Sequence, residues 1–271
     1  MKLLYGKTIA EKIYKDILAK PFVSKKTLAI ILIGDNSASE IYIKNKRIAL
    51  QKLGGETIIF RLEEKINQEE VENLIIKLNS DKSIDGIILQ LPIADQFNKN
   101  QLLSLIDKNK DVDGLNPYNL GNLIQSDYSK SYIPATPFAV MKILSFYQID
   151  IESKNIVIIN NSLLFGKPLA MLLSNKLATV TICNHKTQNI KDFTLKADIV
   201  ISAVGKAKIW DKSFLTNNQT IIDVGISKDE DGKISGDFDF DSIQNLDINY
   251  TPVPGGVGPV TIACLLHNLY S

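Results

Sequence analysis

The chain has 271 residues, material for about two domains with separate apolar cores. At 45% hydrophobic and 23% charged residues it is neither a disordered tail nor a coiled coil. Lys and Arg number 31 against 30 Asp and Glu, so no global field draws a polyanion, and no basic stripe stands out that would bind nucleic acid.

Cys183 and Cys264 have no CxxC or CxxH beside them, which suits a reducing compartment better than a disulfide framework or a metal knuckle. No apolar run near the start suits a secretion signal, and none reaches the ~18 residues of a membrane span. The expectation is a cytoplasmic protein without membrane contact.

The chain is expected to open with a helix. Ile9, Ile13, Tyr14, Ile17 and Leu18 recur at helical spacing, and Thr8 with Glu11 reads as a capping box. The continuous apolar run from Thr27 to Gly34 predicts a strand buried on both faces. Ser37 with Glu40 caps a helix to about Leu53, Gly54-Gly55 stops it, and Thr57–Leu62 forms the next strand. Asn67 and Glu70 cap a helix carrying Val71, Leu74, Ile75 and Leu78, before a third strand over Asp85–Leu91 and a helix over Leu102–Ile106. Strands separated by helices imply right-handed crossovers and a parallel sheet.

Thr136-Pro137 reads as an N-cap followed by proline at the first helical position, opening a helix through Tyr147. A second series follows, with strands at 156–159, 179–182, 198–202 and 220–224 and helices over 167–177 and 190–197. That is a doubly wound nucleotide-binding pattern. A last helix, Thr261–Leu269, must pack on a core already built.

Tyr42 and Lys46 lie four apart on one helix face, with Ser39 one turn earlier, and Gln90 ends the third strand on the same sheet edge. A lysine partly removed from water there has a lowered pKa and can transfer protons near neutrality. A surface lysine packing its stem beside a half-buried tyrosine is the plainer alternative. Lys110-Asp-Val-Asp-Gly114 is open to three readings: a solvated turn, a metal loop short of ligands, or one buried Asp gripping two N–H donors of a heterocycle.

After the strand at 156–159 the turn reads Asn160-Asn161-Ser162-Leu-Leu-Phe-Gly166, which keeps only the last glycine of a G-x-G-x-x-G fingerprint. Ser162 and the amides opening the helix at Gly166-Lys-Pro168 are candidates to receive a pyrophosphate, against an ordinary strand-to-helix turn. The end of the next strand carries His185 and Lys186 and no acidic residue, which leans toward NADP. His267 has no visible partner. Three prolines and three glycines in Thr251-Pro-Val-Pro-Gly-Gly-Val-Gly-Pro259 make a stiff loop whose backbone can approach a ligand closely.

Taken together, Tyr42-x-x-x-Lys46, Gly86-Ile-Ile-Leu-Gln-Leu-Pro92, Lys110-Asp-Val-Asp-Gly114, Pro134-Ala-Thr-Pro137, Asp223-Val-Gly-Ile226, Gly236-Asp237 and the 251–259 loop resemble the bifunctional methylenetetrahydrofolate dehydrogenase/methenyltetrahydrofolate cyclohydrolase family. The resemblance covers nearly the whole chain. It implies a two-domain α/β enzyme, with a parallel-sheet catalytic domain (1–136 plus 258–271) and a Rossmann-like doubly wound NAD(P)-binding domain (137–257). It further implies a cytoplasmic homodimer that serves purine biosynthesis. Its substrates are tetrahydrofolate derivatives, its cofactor is NADP with NAD as the alternative, and no metal, nucleic acid or membrane is involved. Hydride leaves 5,10-methylenetetrahydrofolate, and the methenyl product is hydrolysed to 10-formyltetrahydrofolate at one cleft between the domains.

By position, Lys46 matches the family's catalytic lysine and Gln90 the residue that tunes it. Tyr42 matches the aromatic that packs on folate and hydrogen-bonds near the lysine, and Asp113 the carboxylate on the pterin. Gly255 and Gly256 line the folate pocket; Asn160, Asn161, Ser162, His185 and Ile226 fall at cofactor positions. The family usually reads Gly-Arg-Ser where this chain has Asn160-Asn161-Ser162, so weakened NADP selectivity is expected. Two alternatives stay open: a cyclohydrolase with weakened dehydrogenase activity, or a folate- or nucleotide-binding regulator without turnover.

Overall fold

A computed structural model describes residues 1–21, 23–128 and 131–271, apart from the side chains of Ser37 and Ala38. The chain divides into two compact units, one of Ile13–Ala135 with Ile262–Ser271, the other of Met1–Lys12 with Thr136–Thr261. In chain order the first half runs β1 (Lys2–Leu3), α1 (Lys7–Leu18), β2 (Thr27–Ile33), α2 (Ser37–Lys52), β3 (Glu56–Leu62), α3 (Gln68–Ser80), β4 (Gly86–Leu89), α4 (Lys99–Leu105), α5 (Pro117–Ile124) and α6 (Ala135–Phe146). The second half runs β5 (Asn155–Ile159), α7 (Gly166–Ser174), β6 (Thr179–Cys183), α8 (Ile190–Thr194), β7 (Ile199–Ser202), β8 (Thr220–Asp223), β9 (Ser227–Lys228), β10 (Ile234–Ser235), α9 (Phe240–Ile243), β11 (Asn249–Tyr250) and α10 (Val257–Leu269).

In the unit built on residues 13–135, three parallel strands lie in the order β3-β2-β4. All seven residues of β2 are buried, as a central strand covered on both faces requires. Gln90 N donates to Ile31 O at 2.9 Å, so the ladder runs one residue past β4 and fixes the Gln90 backbone at the carboxyl edge. Asn67 caps α3 as expected, its Oδ1 accepting Glu70 N at 2.9 Å. The cap of α2 differs: Asn36 Oδ1 accepts Ser39 N at 3.0 Å, and the Glu40 carboxylate pairs with Arg61 on β3 instead of closing a box. The side chain of Ser37, the other half of the expected box, lies outside the described residues.

The other unit holds a six-stranded parallel sheet in the order β1-β11-β8-β7-β5-β6, with a small antiparallel pair, β9 and β10. From β5 the chain passes to β6 on one side and then to β7 on the other, so the β5 and β7 loops flank a topological switch point. The sheet recruits the start of the chain, because Lys2 and Leu3 pair with Asn249 and Tyr250. Residues 1–12 therefore belong here, whereas the sequence reading grouped them with the rest of 1–136.

Three helix starts are corrected. Gly6 opens α1, its carbonyl accepting Ala10 N at 2.9 Å, so Thr8 lies inside the helix and caps nothing. α6 starts at Ala135 and α10 at Val257, which places Pro137 and Pro259 in first turns. Proline is tolerated there because first-turn N–H groups have no partner within the helix. α5 was not foreseen, although Asn116-Pro117 is a cap-and-proline start whose Asn116 Oδ1 accepts Tyr118 N at 2.8 Å. No described helix is long and apolar enough to cross a membrane.

Gly6 is fixed by space: a Cβ there would stand 2.0 Å from Gly256 O. Gly6→Ala is expected to cost about 1–3 kcal/mol, the usual range for overpacking, read as a lower midpoint in urea unfolding. An unchanged midpoint means the 6/256 contact is not close in solution.

Candidate active site

α2 carries Ser39, Tyr42 and Lys46 at helical spacing behind the carboxyl end of β2. Lys46 is 7% exposed, and its Nζ donates to Gln90 Oε1 at 3.0 Å. Gln90 Nε2 donates to Leu91 O at 2.8 Å, which holds the amide with its oxygen toward the amine. Burial lowers the Lys46 pKa, and the nearby Asp113 carboxylate partly opposes the shift. Burial likewise pushes the half-buried Asp113 up, opposed by Lys46. The plainer reading of Lys46 as a surface lysine is excluded.

Tyr42 is half-buried, and burial raises its phenol pKa. Among the described residues it makes no direct hydrogen bond to Lys46. Ser39 is 2% exposed, and its Oγ has no partner among the described residues.

The 110–114 turn is not a solvated loop. Asp111 is buried and accepts Asn116 N at 2.6 Å and Asn119 Nδ2 at 2.8 Å. Burial pushes its pKa up to about 7 against these hydrogen bonds. From α10, Asn268 Nδ2 donates to Val112 O and Ile133 O, both at 2.9 Å, clamping the segment that carries Asp113. The two carboxylates thus differ: Asp111 builds the turn, and Asp113 acts on the amine electrostatically. Asn116, Asn119 and Asn268 were missed by the sequence reading. The Asn116-Pro117 start was the available signal for the first; none marked Asn268. Among the described residues, no group of three or more His, Cys, Asp or Glu is placed to hold a metal.

The six-stranded unit carries the remaining candidates. Ile159 pairs with Cys183 across β5 and β6, so Asn161 and His185 each lie two residues past one paired couple, and both are exposed. Ile226 is exposed three residues beyond β8. Asn160 turns inward: its Oδ1 accepts Ser162 N at 2.9 Å, Ser162 Oγ at 2.8 Å and Gly166 N at 3.1 Å. Lys167 N donates to Ser162 O at 3.1 Å, and Pro168 has no N–H. The donors offered to a pyrophosphate at the start of α7 are therefore taken by the loop itself. Gly255 has φ +112° and accepts Gly6 N at 2.8 Å, while Gly256 is buried. Their loop is anchored by Thr251, whose Oγ1 accepts Asp223 N at 2.7 Å.

Two family sequence models match the chain, the catalytic domain of tetrahydrofolate dehydrogenase/cyclohydrolase over residues 4–113 and its NAD(P)-binding domain over residues 134–271. The chain belongs to the tetrahydrofolate dehydrogenase/cyclohydrolase family. The bifunctional protein FolD of Campylobacter jejuni is 41% identical over 99% of this chain and 96% of its own length. That of Aliarcobacter butzleri is 40% identical over 99% of this chain and 95% of its own. The crystal structure of the Campylobacter jejuni bifunctional enzyme superposes with a TM-score of 0.94 at 41% identity, covering 100% of this chain and 97% of that one. A Trypanosoma brucei methylenetetrahydrofolate dehydrogenase-cyclohydrolase complexed with NADP and inhibitor superposes with a TM-score of 0.91 at 31% identity, covering 98% and 95%.

Because the 113 carboxylate favours the ammonium form of Lys46, Asp113→Asn lowers the lysine pKa further. The rising limb of kcat against pH for methenyltetrahydrofolate hydrolysis should move to lower pH in D113N. A limb that stays in place belongs to a group other than Lys46.

Proposed function

We propose that Lys46, Gln90, Tyr42 and Asp113 are the working residues of an enzyme that oxidises 5,10-methylenetetrahydrofolate with NADP or NAD and hydrolyses the methenyl product to 10-formyltetrahydrofolate. The observation that carries this is the buried Lys46 amine, hydrogen-bonded to Gln90 and under the influence of Asp113. Burial shifts the lysine toward its neutral form, whose nitrogen can take a proton.

Hydrolysis then proceeds in two steps. Water adds to the methenyl carbon while Lys46 takes its proton, giving a neutral tetrahedral carbinol. The carbinol collapses as the bond from the carbon to N5 breaks, the hydroxyl proton leaves and N5 gains one. The formyl group remains on N10, and one proton passes to solvent. Gln90 Oε1 holds the amine in line throughout, and Asp113 grips the pterin N–H groups. Tyr42 supplies the aromatic surface against which the folate packs. A regulator without turnover has no use for a dry, proton-accepting amine.

The dinucleotide, when bound, supplies the hydride acceptor for the first reaction. The residues present fit it: β5 and β7 diverge at a switch point, and Asn161, His185 and Ile226 stand exposed at the carboxyl ends of the strands. Asn161 and His185 would flank the adenosine ribose, with Ser162 bracing the turn and Ile226 near the ring. The catalytic domain comprises residues 13–135 with the end of α10, and the NAD(P)-binding domain the rest. A second reading, hydrolysis outrunning oxidation, is favoured by Asn160, which occupies the donors at the start of α7. The family resemblance supports a cytoplasmic homodimer that feeds purine biosynthesis.

Lys46→Met should reduce methenyltetrahydrofolate hydrolysis ~10²–10⁴-fold, the usual scale for losing a general acid–base group, with circular dichroism unchanged. Full hydrolysis in K46M overturns the assignment. Separately, kcat/KM for NADP and NAD should be of similar size in the wild-type protein. Asn161→Arg should raise the NADP-to-NAD ratio about tenfold or more, as one charge-assisted contact to the 2′-phosphate allows. A strong NADP preference before that substitution contradicts the reading of Asn161.

A further inference from the structure

The loop after β7, residues 203–206, is exposed from Val204 to Lys206, yet its amides point into the protein. Their target is Asp237, which is fully buried. One carboxylate accepts four hydrogen bonds, from Ser202 Oγ at 2.6 Å, Val204 N at 2.6 Å, Gly205 N at 2.8 Å and Lys206 N at 3.1 Å. Trp210 Nε1 donates to Ser202 Oγ at 2.9 Å, and Asn160 Nδ2 donates to Ala203 O at 2.7 Å, which ties the β5 loop to the β7 loop.

Asp237 is itself held from the end of β8. Asp223 Oδ1 accepts Asp237 N, and Asp223 Oδ2 accepts Phe238 N and Tyr250 OH, each at 3.0 Å. The packing is reciprocal. A Cβ at Gly225 would stand 1.9 Å from Asp237 Oδ1, and one at Gly236 would stand 2.1 Å from Asp223 Oδ2. Each aspartate therefore occupies the space a side chain would take on the other's segment, which locks the ends of β7 and β8 to a third segment.

The lock has a chemical consequence for a ligand at the switch point. With the amides of 204–206 consumed, the backbone of this loop has no donor left for a phosphate and can only accept hydrogen bonds. If the adenosine lies by Asn161 and His185 at the ends of β5 and β6, the nicotinamide end lies on the β7 and β8 side. There the dinucleotide presents a donor, the carboxamide NH2 of its ring.

We propose that Asp237 is a positioning residue for nicotinamide recognition, turning the 204–206 amides inward so that the loop meets the ring carboxamide with carbonyl oxygens. This deepens the dehydrogenase reading above and rests on it. Asp237→Asn replaces one acceptor oxygen with an N–H2 that confronts the same donors, so the loop must turn.

The test measures dissociation constants by calorimetry on the full chain, for NADP and for its 3-acetylpyridine analogue, which lacks the amide N–H. The wild type should bind NADP about tenfold tighter than the analogue, as one hydrogen bond allows. D237N should bind both at the analogue's level, with faster amide exchange at 204–206 and methenyltetrahydrofolate hydrolysis within about twofold of wild type. If D237N does not fold, Ser202→Ala carries the test, since it removes one of the four donors and should narrow the NADP-to-analogue ratio without closing it. Equal wild-type affinity for NADP and the analogue overturns the proposal, as does an undiminished ratio in a folded D237N or, failing that, in S202A. No binding of NADP or NAD by the wild type sinks the dehydrogenase reading instead.

Discussion

The candidate site is built around one amine kept out of water. A lysine on the second helix of an open sheet is ordinarily solvated and charged; here it is buried, and Gln90 supplies an oxygen in place of solvent. Desolvation favours the neutral form, and the Asp113 carboxylate limits how far that goes. Too little burial leaves a permanent ammonium that accepts no proton. Too much leaves an amine that cannot hold one. Burial and the carboxylate act on the amine in opposite directions, and the amide of Gln90, oriented by Leu91 O, holds it by one hydrogen bond.

The six-stranded unit meets a different requirement, which is shape. Where a dinucleotide loop ordinarily relies on glycines, the first loop here is filled by its own Asn160 side chain, whose carbonyl collects three donors. That rigidifies the turn and removes donors that a phosphate would otherwise use. The loop after β7 is rigid for a similar reason, with Asp237 in the part of Asn160. Both loops are organised by a side chain satisfying backbone amides from within, so neither offers those amides to a ligand.

Much of this was legible in the sequence, for identifiable reasons. The all-apolar run of β2 has one comfortable place in a parallel sheet, the centre, and it lies there. The four-residue spacing of Tyr42 and Lys46, with Gln90 at a strand end, was enough to foresee a shared edge. What stayed hidden depends on partners distant in sequence. β1 is a two-residue strand that exists because β11 offers it an edge, and no local pattern announces it. The Thr8–Glu11 box is a sound local signal overridden by the close approach of Gly6 to Gly256. Likewise, Asn160 looks like a loop residue that tolerates unusual backbone, and only the folded turn shows it acting as the loop's internal ligand.

Perturbed acidity alone does not single out the working groups. Burial drives Asp111 and Asp223 up to about 7, yet each is surrounded by donors: two main-chain amides and a carboxamide for Asp111, two amides and a phenol for Asp223. Such a carboxylate has its hydrogen-bonding capacity spent on the fold, and its acidity records the cost of burial. Lys46 is the contrasting case. Its ammonium has three donors to place, and among the described residues one oxygen receives it, while the Ser39 hydroxyl on the same helix has no partner. A buried group with capacity left over can still take a further partner, which the carboxylates already spent on the fold cannot.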